Sequence, residues 1–411
     1  MKIRFSWPFK LVRSEAQPVS LNTKGVTWTD DLIFAGLTPS VAGVTVNEST
    51  SLTFSAVWAC NKVIAETIAS LPLHIYENKG IGSDKAVNHP LDYLLHDAPN
   101  DFLTSFIFRE QMQSYLNLWG NAYAYIKRDL DFNPIALEIF HPKDVTPVKK
   151  NLLWYSVKGL KNMINARDMI HILSMSLNND YVGISPILQA KEVIGNGLAL
   201  QEFSNRFFGS GANMSGILQT DQVLNDPAYE RLKKGFDTRY SGIDKSHKVA
   251  ILEQGLKFQR ISIEPEAAQF LESRKFSVEE IARWFRVPPH MIGDLSKSSF
   301  SNIEQQSIDF VTHTIRPWLV RWEQELNKKL LSEEERKKYF ISFNIEGMLR
   351  GDAQARAALY QVLFNTSSIT PNEIRSKENM NPIDGGDDVF VQMNMQKTKD
   401  LGNEKEGNEK L

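Results

Sequence analysis

The 411-residue chain contains one cysteine, Cys60. A single thiol excludes an internal disulfide framework and fits a reducing compartment. Cys60 lies on an apolar helical stripe, which reads as a buried thiol rather than a nucleophile. Positive charge is not in surplus either. The 47 Lys and Arg against 49 Asp and Glu give a net charge of -2, which excludes a protein built as a basic grip on nucleic acid. No apolar run has the length of a membrane span. The N-terminal MKIRFSWPFKLVR carries charges and Pro8 where a signal peptide needs an unbroken apolar stretch, so synthesis and use in the cytosol are expected. The sequons at Asn47, Asn213 and Asn365 then carry no meaning.

Catalytic signatures are missing as well. There is no GxxxxGK[ST] phosphate cradle, no HExxH and no GxSxG elbow. GSGANMSG at 209–216 lacks the GxGxxG spacing and follows a helix, so it reads as a helix terminator. The eight histidines are scattered. His89 and His96 are close only in sequence, and His141 and His171 are expected to be packed rather than metal-bound. Glu325 and Lys329 read as a surface i,i+4 pair worth a few tenths of a kcal/mol. Asp384, Asp387 and Asp388 sit in a Gly-rich turn and read as solvated loop. No catalytic residue, metal or cofactor is therefore expected.

What is present is an ordinary core: 42% hydrophobic and 23% charged residues, enough for two or three domains. Residues 1–50 read as irregular. A helix with the stripe Val57, Cys60, Val63, Ile64, Ile68 and Leu71 ends at Pro72. Pro90 opens a short helix, and Thr104 caps another that ends at Gly120. Strands are expected at 73–76, 122–128, 135–140, 152–157 and 169–173. Ser185-Pro186 starts a long helix to Gly209. A mixed insert fills 213–263, and another helix runs from Pro265. A second long helix is expected from Ser301-x-x-Glu304 to about residue 331, kinked at Pro317. A strand at 339–345 and a helix around 352–365 follow. Thr370-Pro371-Asn372-Glu373 is a strong helix start. The charged tail reads as disordered.

Residues 277–302, SVEEIARWFRVPPHMIGDLSKSSFSN, point two ways. Ser277-x-x-Glu280 is a capping box, so a helix can restart there, with Val278, Ile281, Ala282 and Phe285 on one face. This resembles the opening of a helix-turn-helix. Pro288 and Pro289 then stop it, and only His290, Met291 and Ile292 precede Gly293. That is too short for a recognition helix. Asp294 to Asn302 reads as a polar loop, hinged at Ser277 and Ser301.

Six segments in one order then carry a resemblance. They are SAVWACNKVIAETIASLPLHIY (55–76), HPLDYLLHDAPN (89–100), WGNAYAYIKRD (119–129), YVGISPI (181–187), FSVEEIARWFRVPPHMIG (276–293) and TPNEIRSKENMNPIDGGDD (370–388). Across residues 50–390 the chain resembles the phage portal protein family of long-tailed siphophages. The resemblance implies an α+β, portal-type subunit that assembles as a ring, usually of twelve, at one capsid vertex. It implies an irregular arm (1–50), an α/β wing (51–184), a first stem helix (185–212), a small mixed clip (213–263) and a second stem helix (264–288). A tunnel loop (289–302), a kinked long helix returning to the wing (303–350), a helical crown (351–390) and a disordered tail (391–411) complete it.

The implied function is a channel for DNA packaging and ejection. It is also a platform for the terminase, which hydrolyses ATP, and for the head–tail connector. The major capsid protein or scaffold would meet the wing, and no membrane is involved. The location is the virion, with host cytoplasm during assembly. Lys297, Ser298, Ser299, Phe300, Ser301 and Asn302 would face sliding duplex DNA without sequence preference. Arg231, Lys233, Lys234, Arg239, Lys245 and Lys248 would give the clip a basic, partner-binding surface. A regulator using 277–292 as a helix-turn-helix is the alternative, and a metal-dependent nuclease is a third reading.

Overall fold

The computed structural model describes residues 39–390, except 81, 150, 178–180, 210–215, 220–226, 228, 232–256, 261–266, 296–299, 346–352 and 379. In chain order the elements begin with α1 (Glu48–Ser51), α2 (Ser55–Ser70), β1 (Leu73–Asn78), β2 (Ser83–Lys85), α3 (Pro90–His96) and α4 (Ser105–Trp119). β3 (Asn121–Arg128), β4 (Pro134–Phe140), β5 (Val145–Lys149), β6 (Leu153–Val157), β7 (Ile164–Asn165) and β8 (Met169–Leu173) follow. Then come α5 (Pro186–Gln189), α6 (Lys191–Gly209), β9 (Gly216–Gln219), β10 (Lys257–Arg260) and α7 (Ala267–Phe285). The rest is α8 (Phe300–Asp309), a π-helical segment (Phe310–Ile315), α9 (Arg316–Leu330), α10 (Glu335–Lys338), β11 (Tyr339–Phe343), α11 (Ala353–Asn365) and α12 (Pro371–Lys377).

The chain divides into two compact units. One comprises residues up to Phe54 together with Ile187–Ser277. In it, Asn47 caps α1 by accepting from the Ser49 and Thr50 amides. Residues 40–54 lie against α6 so closely that a Cβ at Gly195 would stand 2.4 Å from Ser40 Oγ, and one at Gly197 2.7 Å from the Phe54 ring. β9 and β10 pair antiparallel, Ile217 opposite Gln259. The expected single helix from 185 to 209 is broken at Ala190, for which the local sequence offers no cause.

The other unit comprises Ser55–Pro186 and residues from Val278 onward. It holds three antiparallel sheets, ordered β11-β1-β2, β4-β3-β8 and β5-β6-β7. α2 and α4 pack together, and α9 packs on β8 and β11. The stripe on α2 is buried as its spacing requires, with Cys60 fully enclosed and its thiol pKa pushed up to about 12 by burial. Tyr123, Val145, Tyr155, Val157 and Met169 form a core between two of the sheets. Strand β5 was not expected, because Pro147 interrupts it. It is an edge strand, where a missing amide donor is tolerated.

Proline acts differently at 317. A π-helical segment, Phe310–Ile315, stands just before it in the run where a kink was expected. A proline removes one donor and crowds the preceding carbonyl. Widening the turn absorbs both effects.

Candidate functional site

α7 runs without interruption from Ala267 to Phe285, so the expected restart at Ser277 does not exist. The Ser277 hydroxyl donates to the Ser273 carbonyl at 3.0 Å, within the running helix, and caps nothing. Arg286, the residue after α7, adopts a left-handed φ of 55°. There Val287 N–H donates back to the Ala282 carbonyl at 2.9 Å. Thr314 Oγ1, on the π segment, donates to the Arg286 carbonyl at 2.6 Å. A short 3-10 turn, Pro289–Ile292, follows and is closed by Gly293 at φ 90°. His290 Nδ1 lies 3.0 Å from Gln306 Oε1, tying this turn to α8.

The polar loop is shorter than its composition indicated. α8 begins at Phe300, so Phe300, Ser301 and Asn302 form a first helical turn and Ser301 is not a cap. Lys297, Ser298 and Ser299 lie outside the described residues. The helix-turn-helix alternative does not survive this geometry. Within 277–292 the only element after α7 is the four-residue 3-10 turn Pro289–Ile292, closed at Gly293, which is too short to be a recognition helix.

Of the basic residues singled out in the insert, Arg231 is exposed, with Nε donating to the Pro227 carbonyl at 3.2 Å. Lys233, Lys234, Arg239, Lys245 and Lys248 lie outside the described residues.

Residues read singly turn out to belong to networks. Asn121 side-chain Oδ1 accepts from the Gly183 amide at 2.7 Å, and its Nδ2 donates to the Gly183 carbonyl at 2.7 Å. Ser185 Oγ donates to the Leu118 carbonyl at 2.7 Å. The WGNAYAY and YVGISP segments are therefore two sides of one contact. His171 is buried, stacked on Tyr123 at 4.2 Å. Its Nδ1 lies 3.0 Å from Tyr155 Oη and its Nε2 3.1 Å from Asn121 Oδ1.

Glu325 and Lys329 are not the surface pair expected. They lie 3.6 Å apart with only 18% and 12% of their side chains exposed. Glu325 also accepts from the His171 amide, and Lys329 donates to the Ala166 carbonyl. Both charges face β8 and its approach, which adjacency on one helix cannot reveal.

Asp384, Asp387 and Asp388 are exposed, and Asp387 accepts from Asn372 Nδ2 at 3.0 Å. Asn372 also exchanges hydrogen bonds with both backbone groups of Ile383. It thereby organises the whole IDGGD turn. Among the described residues no group of three His, Cys, Asp or Glu is placed to hold a metal ion. Among them also, no helix is long and apolar enough to cross a membrane.

The description "Phage portal protein" matches residues 55–379. The chain belongs to the phage portal protein family. It is 33% identical over 369 residues to the portal protein of Enterobacteria phage HK97, covering 88% of this chain and 87% of that one. Its fold is similar to that of an HK97-family phage portal protein from Corynebacterium diphtheriae. That match has a TM-score of 0.58 and 16% identity, over 76% of this chain and 98% of the other. It is also similar to a chain in the neck of a native GTA particle computed with C12 symmetry. There the TM-score is 0.52 and the identity 21%, over 82% of this chain and 94% of the other. In this portal-family chain three of the six segments that carry the resemblance are seen as packing devices. Two meet at Gly183, and the last closes on its own Asn372.

One consequence is a pH dependence. Burial, assisted by Lys329, pushes the His171 pKa down from 6.5 to about 3. The unfolded chain binds this proton more readily, so the contribution is complete above pH 6.5 and falls as pH drops toward the folded value. The loss is expected to approach about 1.4 kcal/mol per pH unit within that window. His171→Gln is expected to flatten the acid limb of stability between pH 6.5 and 4, as read by denaturant melts. An unchanged limb would assign the acid sensitivity to other groups.

Proposed function

We propose that this chain is the subunit of a portal ring at one capsid vertex, through which double-stranded DNA enters and leaves. The observation that carries the reading is the family match, which runs from α2 to α12 and through the insert between α6 and α7. The C12 symmetry of the GTA neck supports a ring of twelve. On this reading the sheet-bearing residues 51–184 are the wing and meet the capsid protein or scaffold. Residues 213–263 are the clip and meet terminase, then the head–tail connector. Residues 351–390 are the crown. The chain performs no catalytic step, and ATP hydrolysis is the terminase's.

The charge balance suits a conduit. Duplex DNA presents one charge per ~1.7 Å of axis, and six to ten firm Lys or Arg contacts already make binding strong and steeply salt-dependent. A channel for sliding DNA needs few persistent ion pairs. A net charge of -2, and one lysine between Asp294 and Asn302, meet that requirement. Lys297 to Asn302 touch DNA transiently in this scheme. Lys297→Glu with Phe300→Ala is expected to lower the yield of DNA-filled heads without lowering the number of heads. Unaltered packaging and retention would remove the segment from the DNA path. Charge reversal at Lys233 and Lys234 is expected to weaken terminase docking in a pull-down. Unchanged docking would leave these lysines as a solvated surface.

A further inference from the structure

Two features within the sheet-bearing unit remain unused by this reading, and both are built at local expense. The first is a cleft of about 510 Å³ between the end of α7 and the π segment. Ala282, Val287, Pro289 and Phe310 give it an apolar lining, with Arg283 and Arg286 among its charged residues. Both guanidinium-bearing residues are exposed. Three carboxylates share the cleft, but Asp309 accepts from Gln305, and Glu279 and Asp294 have partners of their own. The walls carry a left-handed non-glycine residue, Arg286, and a π turn, joined by the Thr314 hydrogen bond. Such costly geometry concentrates at working sites.

The second feature is the β3–β4 hairpin tip, Asp129 to Asn133. Leu130 is 99% exposed and Phe132 63% exposed. The tip is nonetheless rigidly made. Asp129 Oδ1 accepts from the Asp131 and Asn133 amides at 2.9 and 2.8 Å. Arg128 Nη1 donates to the Phe132 carbonyl at 2.9 Å, holding Phe132 at a left-handed φ of 64°. Arg167 stacks over the Phe132 ring at 5.1 Å. The result is a fixed knob with an apolar crest, Leu130, beside an exposed acid, Asp131.

The knob complements the cleft: apolar crest to apolar lining, carboxylate to guanidinium. It cannot enter the cleft of its own copy. Arg128 Nη2 donates to the Lys329 carbonyl at 2.9 Å, which fixes the hairpin base at the far end of α9. Thr314, on the cleft wall, is fifteen residues earlier in the same helical run, about 22 Å away along the axis.

We infer that the hairpin tip of one copy, led by Leu130 and Asp131, seats in the α7/π-segment cleft of the next copy. Unlike surfaces that pair head to tail close into rings when the rotation permits. The inference therefore rests on the ring reading above and supplies one of its joints. A tip already held in shape loses little freedom on docking.

The test uses rings isolated from assembled particles. Cys60 is fully buried, so the background thiol is inaccessible. Leu130→Cys combined with His313→Cys, an exposed residue lining the cleft, is expected to give a disulfide ladder of many subunits on a non-reducing gel. Each single variant is expected to give none beyond a dimer. As a second variant, Leu130→Arg is expected to reduce the ring fraction about tenfold, as for a buried interface anchor, with an unchanged melting temperature. Rings that form normally in both backgrounds without a ladder would overturn the knob-and-cleft joint while leaving the ring intact. Particles that contain no ring of this chain at all would overturn the ring reading first, and the joint with it.

Discussion

Gly120→Ala is expected to lower the apparent melting temperature of the sheet-bearing unit by ~10 °C, since a destabilisation of about 4 kcal/mol moves a unit of this size by a few degrees per kcal/mol. Two effects add. Gly120 ends α4 in the left-handed region, φ 71°, where a side chain costs about 1–2 kcal/mol. The added Cβ would also stand 2.1 Å from the Ile184 carbonyl oxygen and 2.7 Å from Ser174 Oγ. Overpacking adds about 1–3 kcal/mol even where neighbours can shift. Here the nearest neighbour is backbone, and it is held. Gly183, one residue before, would place its own Cβ 2.0 Å from the Gly120 carbonyl. The Asn121 side chain pins both backbone groups of Gly183. Neither segment can retreat without breaking those bonds. Differential scanning fluorimetry of the purified variant checks this. A shift under 2 °C would mean that the contact is not tight.

Trp322→Ala is expected to destabilise the same unit by a similar or larger amount. Trp322 is fully buried on α9, and removing a core tryptophan costs about 3–5 kcal/mol. Its indole N–H also begins a buried chain of hydrogen bonds. Nε1 donates to Gln113 Oε1 at 2.9 Å, Gln113 Nε2 to Asn117 Oδ1 at 2.9 Å, and Asn117 Nδ2 to Asn61 Oδ1 at 3.0 Å. That chain fastens α9 to α4 and α4 to α2. Truncation strands an acceptor on Gln113, for about 1–3 kcal/mol more. Trp322→Phe separates the two contributions. It retains most of the ring and loses the donor, so about 1–3 kcal/mol is expected in denaturant melts. Equal losses for the phenylalanine and alanine variants would mean that volume contributes little. No loss with phenylalanine would mean that the hydrogen-bond chain contributes little.

Local signals were legible where the fold left them local. Thr370 and Glu373 form the reciprocal capping box that their spacing indicates. Thr104 caps α4, and Gly120 ends it in the left-handed conformation. Ser277 and Glu280 have the same spacing and form no box. Upstream turns already run through Ser277, so its hydroxyl finds a carbonyl four residues back. A four-residue pattern carries no record of whether a helix is already under way. The Glu325–Lys329 pair fails as a reading for a related reason. Spacing along one helix reports that two charges meet, not that β8 covers them.

Contacts across long stretches of chain were the least visible. Nothing near Trp322 announces Gln113, 209 residues away. Gly120 and Gly183 read as a terminator and a loop residue until their backbones are seen to touch. The tip at Leu130 falls in the turn that the strands expected at 122–128 and 135–140 leave between them, but nothing in that pattern shows that its leucine stands 99% exposed. The family was legible because the six segments stand in one order between residues 55 and 388, and the family match covers residues 55–379. The insert's basic residues beyond Arg231, and Lys297 to Ser299, lie outside the described residues.

Copies of this chain are proposed to close into a ring around DNA. Cryo-electron microscopy of particles carrying the protein, with the vertex reconstructed without imposed symmetry, tests it most directly. A twelve-fold ring of this chain with a central hole wide enough for a duplex, at one vertex only, is expected. A chain found as a monomer or dimer that binds one DNA sequence, or absent from every vertex, would contradict it.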